Sequence, residues 1–76
     1  MPTKKSKANQ ALGHEIRSIR EARGYSQEAF AARAGLDRSN YGAIERGEAN
    51  ITVDTIVKIA NGLEIGLGEL FTRAGE

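Results

Sequence analysis

The chain has 76 residues, a net charge of +1 and no cysteine, which limits it to one small domain and removes disulfides and thiolate metal sites together. Its most apolar stretch, residues 51–63, is broken by Asp54, Lys58 and Asn61, so it does not make a membrane span, and the N-terminal lysines lack the apolar run of a secretory signal. A soluble cytoplasmic chain is expected, and a domain that buries only about 60% of its unfolded surface is expected to gain stability from a partner subunit.

The charge is unevenly placed. Residues 1–46 carry nine Lys or Arg against five acids, a net +4, whereas residues 47–76 carry two against five, a net −3. One half is therefore suited to meet phosphate while the other faces away.

Residues 1–9 contain Lys4, Lys5 and Lys7 and no apolar anchor, and read as a flexible basic arm, either touching nucleic acid backbone or serving as a leader. Residues 10–76 read as the folded domain. Leu12, Ile16 and Ile19 recur at helical spacing, and Gly24 offers a left-handed stop, which predicts a first helix over residues 10–23. Ser26 is a good N-cap for a short second helix containing Ala29, Phe30, Ala31 and Ala34 and ended by Gly35. Leu36 plugs the turn, Asp37 is a second N-cap, and Tyr41, Ile44 and Glu45 carry a third helix to Gly47.

Thr52 caps a fourth helix with an apolar stripe of Val53, Ile56, Val57, Ala60 and Leu63, leaving Ile59 off the stripe and Asn61-Gly62 as the exit. A fifth helix is predicted over residues 67–73 despite Gly66 and Gly68, because Leu67, Leu70 and Phe71 still give it an apolar face. Five short helices without an alternating strand pattern predict an all-α domain.

The central pair, Gln27 to Gly47, has the form of a helix-turn-helix: two short helices joined by a tight glycine-containing turn, with the second projecting from the surface. Ala31 and Gly35 supply small residues where the helices meet, and Leu36, Tyr41 and Ile44 are spaced to bury against the first and fourth helices. Arg38, Ser39 and Asn40 then point outward, with Gly42 and Ala43 one turn on. Arg bonds guanine edges in bidentate fashion, Asn does the same at adenine, and Ser serves either, so these three are the candidate base contacts on double-stranded DNA. Gly42 either admits a closer approach of backbone to the groove or is simply tolerated there.

On these residues the chain resembles bacterial and phage helix-turn-helix regulators of the phage-repressor and Xre type. The resemblance runs from Leu12 to Phe71 and rests on Ile16-Arg17 with Ile19-Arg20, Ser26-Gln27-Glu28, Ala31 with Gly35-Leu36, Ile44-Glu45-Arg46-Gly47, Ile59-Ala60 with Leu63, and Glu69-Leu70-Phe71. It is most like the short stand-alone members, including controller proteins of restriction-modification systems, which act as dimers. The resemblance implies a five-helix phage-repressor-like fold, a sequence-specific transcriptional regulator acting as a homodimer on a palindromic operator, commonly its own promoter, and phosphate contacts from Gln27, Arg46, Asn50 and Thr52. Thr52 is also a helix cap and Asn50 a turn residue. Arg17, Arg20 and Arg23 divide between phosphate contact and pairing, with Glu45 able to meet Arg17 or Arg20; Arg17 joins the phosphate set.

Residues 10–76 are accordingly read as one DNA-binding and dimerisation domain. Leu63, Ile65, Leu67, Leu70 and Phe71, with Ile59, hold more apolar material than so small a core buries, and form the expected dimer contact or else close the monomer core. No acid and base flank a nucleophile, no metal-ligand cluster appears, and His14 stands alone on the polar side of the first helix, so neither enzyme activity nor a cofactor, metal or small-molecule ligand is expected. The alternative is an antitoxin or adaptor that uses the same fold mainly to bind protein.

Overall fold

The structure, a computed structural model, describes residues 7–75 as five helices: α1 (Lys7–Ala22), α2 (Gln27–Ala34), α3 (Arg38–Glu45), α4 (Val53–Leu63) and α5 (Leu67–Ala74). No described helix is long and apolar enough to cross a membrane. The first helix starts at Lys7, three residues earlier than its apolar pattern suggests. Ala8 and Asn9 border the same surface groove as Phe71 and Ala74 of α5, so tertiary packing extends the helix into what reads locally as an arm. Residues 1–6 of that arm lie outside the described residues.

The expected caps form. Ser26 Oγ accepts from the Ala29 N–H at 3.0 Å, Asp37 Oδ2 from the Asn40 N–H at 3.2 Å, and Thr52 Oγ1 from the Thr55 N–H at 3.1 Å. Between α2 and α3, Gly35 takes φ +75°, a left-handed conformation that costs glycine least. A Cβ built on Gly35 meets nothing within 4 Å, so the residue is there for its dihedral and not, as the pattern suggested, for close approach of the helices.

Close approach is the role of two other glycines. A Cβ on Gly13 would lie 2.4 Å from the Ile44 carbonyl oxygen and 2.6 Å from that of Glu45, which lets α1 cross directly against the end of α3. A Cβ on Gly62 would lie 3.0 Å from the Phe30 ring. Gly62 therefore seats α4 on α2 and does not end the helix; the left-handed residue after α4 is Glu64, at φ +60°.

The core joins all five helices through Ile16, Phe30, Tyr41, Ile44, Ile59, Leu63 and Leu70, none of which retains appreciable exposed surface. Phe30 packs against Tyr41 with ring centroids 5.2 Å apart. The helix α3 beds mainly on α1 and α2 rather than on α1 and α4, with Tyr41 and Ile44 buried in the common core. In α4 the buried set is Ile56, Ile59, Ala60 and Leu63, while Val53 is 74% exposed and Val57 is on the surface. Contact with α2 at Gly62 rotates the expected stripe by part of a turn, drawing Ile59 in and leaving the two valines out.

One polar cluster lies within this packing. Arg20 Nε donates to Glu45 Oε2 at 2.6 Å and its Nη2 to Glu45 Oε1 at 3.2 Å, while Nη1 donates to the Tyr25 carbonyl at 2.6 Å. The two charged side chains are only 8% and 2% exposed. The Tyr41 hydroxyl donates to Glu45 Oε2, and Gln27 Nε2 donates to Glu45 Oε1 at 2.9 Å. Glu45 thus ties α1, α2 and α3 together at one carboxylate.

Burial alone would push the Glu45 carboxyl up, but hydrogen bonds from Arg20, Tyr41 and Gln27 together with the Arg20 charge hold it below its ordinary value. Arg20 is raised, chiefly by its hydrogen bond to Glu45, which overcomes the opposing effect of burial. Burial, followed by the bond to Glu45, pushes Tyr41 well above the usual tyrosine range.

Two outcomes are expected. Gly13→Ala should destabilise the domain by about 3 kcal/mol, the upper end for overpacking, because the added methyl meets backbone; an unchanged denaturation midpoint would refute the close crossing. Glu45→Gln should cost about 3–5 kcal/mol by leaving Arg20 buried without its counter-charge. Since the folded-state value of Glu45 is depressed, its contribution is present above the ordinary glutamate value of about 4.3 and is lost as pH falls through the lower folded value. Chemical denaturation between pH 6 and pH 3 should therefore give Glu45→Gln a shallower loss of stability than the parent chain, and parallel curves would contradict the linkage.

Candidate nucleic-acid interface

The first turn of α3 leaves Arg38, Ser39 and Asn40 side by side and exposed. This follows from the inward residues: Tyr41 and Ile44 are buried in the core and Glu45 is fixed to Arg20, so the opposite flank has no direction but solvent. The Asp37 cap holds the Asn40 backbone N–H and leaves its side-chain amide outside that bond. Arg17, Arg20, Arg33, Arg46 and Arg73 each pair with a carboxylate, whereas Arg38 makes no ion pair among the described residues. An exposed guanidinium with its donors uncommitted suits bidentate bonding to a guanine edge.

The residues assigned to phosphate stand in differing circumstances. Gln27, at the start of α2, is half-buried with its amide held by Glu45 at 2.9 Å. Arg46 follows α3 and binds Glu48 Oε1 through Nε at 2.9 Å. Asn50 and Thr52 are exposed in the loop before α4, where Thr52 is engaged as the helix cap. Arg17 pairs along α1 with Glu21 at 3.1 Å, both side chains largely exposed. Glu45 selects Arg20, not Arg17, which removes Arg20 from the residues open to phosphate.

Gly42 departs from its expected outward position. It is buried, with the Arg46 guanidinium and the Gln27 amide closing over it, so the backbone there is covered by side chains and does not form bare helix surface. Neither this arrangement nor the Tyr41 hydroxyl on Glu45 was read from the sequence. The Tyr41-to-Glu45 spacing of four residues is the one signal that pointed to the second of these.

The apolar residues assigned to a dimer contact separate into two groups. Ile59, Leu63 and Leu70 have no exposed surface and belong to the monomer core, because α2, α4 and α5 close over them. Ile65 and Leu67 are half-buried against that core, while Phe71 is 50% exposed. Phe71 borders a largely apolar groove with Leu12, Ile51, Val53 and Ile56, between the starts of α1 and α4 and the end of α5. Val53, a core residue by its pattern, is the most exposed large apolar residue on this surface.

A helix-turn-helix family model matches residues 16–70. The chain is 43% identical over 62 residues to control protein C.MunI of Mycoplasma sp., covering 80% of this chain and 84% of that protein. It is 38% identical over 64 residues to control protein C.SmaI of Serratia marcescens, covering 84% and 76%. Its fold matches the crystal structure of the restriction-modification controller protein C.AhdI from Aeromonas hydrophila with a TM-score of 0.79 and 42% identity, over 82% of this chain and 94% of that one. The chain therefore belongs to the phage-repressor and Xre-type helix-turn-helix family of DNA-binding transcriptional regulators, and within it is similar to restriction-modification controller proteins.

Proposed function

We propose that the chain acts as a homodimeric, sequence-specific regulator of the controller type, inserting α3 into the major groove at each half of a palindromic operator in its own promoter region. The observation that carries this reading is the exposed trio Arg38, Ser39 and Asn40 on a helix whose other flank is clamped by Glu45, with Arg38 unpaired among the described residues. Base readout falls to those three residues. Gln27, Arg46, Asn50, Thr52 and Arg17 fix register through phosphate, which positions a protein on DNA without specifying sequence.

The partner surface is the groove beside Phe71 and Val53, with the half-buried Ile65 and Leu67 as secondary contributors. Large exposed apolar side chains bordering one apolar groove support association, and a two-fold pair matches the spacing of half-sites about one helical turn apart. The similarity to controller proteins of restriction-modification systems supports autoregulation.

Footprinting on DNA upstream of the chain's own gene tests the whole reading, and protection of two symmetric half-sites is expected. Arg38→Ala should lower affinity for the protected sequence by about 1–3 kcal/mol while changing binding to unrelated duplex far less; equal losses would sink direct readout. Gln27→Ala should weaken both duplexes to a similar degree, and a shifted base preference would contradict its assignment to backbone. Phe71→Glu should yield a folded monomer in sedimentation, whereas an unaltered dimer mass would move the interface elsewhere.

A further inference from the structure

Gly42 sits in the interior of α3, where glycine weakens a helix relative to alanine, yet its φ is not positive and no backbone presses on it. A Cβ built there meets only the Arg46 Nη1 at 3.2 Å and the Gln27 Oε1 at 3.8 Å. Neither conformation nor core packing calls for glycine at this position. What it provides is room for two polar side chains from different elements to converge over one point of the helix surface.

We propose that Gly42 is a positioning residue for the phosphate contact: lacking a side chain, it lets the Arg46 guanidinium lie back along α3 beside the Gln27 Oε1, so that Arg46 addresses a phosphate from one fixed place. The inference rests on the DNA-binding reading above and names how the backbone contact is built. The donor chemistry fits. Arg46 is oriented by its Nε bond to Glu48 and keeps its two Nη groups, while Gln27 gives an amide proton to Glu45 and turns its Oε1 toward Gly42. The Arg46 guanidinium is thus anchored at one end by a carboxylate, with an acceptor oxygen of Gln27 on its flank, and it supplies the charged donor to the anion.

The test compares Gly42→Ala, Arg46→Ala and the double variant on duplexes selected from a randomised pool by the parent chain, and on an unrelated duplex, across a salt series. Gly42→Ala should melt no lower than the parent, since alanine is the better helix former and only the flexible tip of Arg46 must move. It should bind both duplexes about tenfold more weakly, the loss expected for one charge-assisted contact, and its logarithmic salt slope should be shallower by about 0.9 per lost phosphate contact. In the Arg46→Ala background the same substitution should add no further loss. Full affinity in Gly42→Ala, or an equal loss with and without Arg46, overturns the proposal while leaving DNA binding intact. A pool in which the parent chain enriches no sequence overturns both.

Discussion

A single buried carboxylate fixes the angle between the helices on which the proposed DNA-reading surface depends. Glu45 receives two bonds from Arg20 of α1, one from Tyr41 within α3 and one from Gln27 of α2. Replaced by well-packed apolar side chains, a buried ion pair of this kind often leaves stability unchanged or higher. Its hydrogen bonds are directional, however, and a guanidinium fork satisfied on Nε, Nη1 and Nη2 has one orientation. The cluster selects one crossing of α1, α2 and α3 among the several that an apolar interface of the same area would permit. No buried side-chain polar atom among the described residues lacks a hydrogen bond, so the selection leaves none of them orphaned.

The helices themselves were legible because their signals are local. Ser26, Asp37 and Thr52 are caps whose bonds close within three residues, and the helix-turn-helix needs only the first two, Gly35 and the inward spacing of Tyr41 and Ile44. The start of α1 was misjudged because Lys7, Ala8 and Asn9 show no apolar period; their order comes from α5, almost the whole chain away. The face of α4 was misjudged for the same reason. Ile56, Val57, Ala60 and Leu63 fit one helical stripe and Ile56, Ile59, Ala60 and Leu63 another, and only the seating of Gly62 on Phe30 distinguishes them.

Glycines were the least legible residues, since the same letter serves unlike ends. Gly35 supplies a left-handed dihedral with open space around it, Gly13 supplies contact between two backbones, and Gly42 does neither. Sequence spacing places the first at a turn between two capped helices, but not the open space around it that rules out close approach. The second and third depend on what another helix brings to the position, and a single sequence carries no mark of that. The candidate site divides in the same way: the outward trio follows from α3 alone, whereas the burial of Ile59, Leu63 and Leu70 and the exposure of Val53 follow from how the helices close.

Magnitudes connect the trio to the apolar groove. On the proposed reading Arg38 and Asn40 are the two side chains suited to bidentate readout, and at about 1–3 kcal/mol each they would give one copy about 2–6 kcal/mol of discrimination. Specific recognition typically stands about 4–10 kcal/mol above non-specific binding. One copy reaches only the lower part of that range, and two copies on symmetric half-sites span it. A reader this small therefore needs either more base contacts or a second copy, and Gly42 and Ala43 offer no polar side chain to extend the first. The exposed Phe71 and Val53 leave the second course open, on a surface formed by the helix ends around the groove and separate from the Arg38–Asn40 turn.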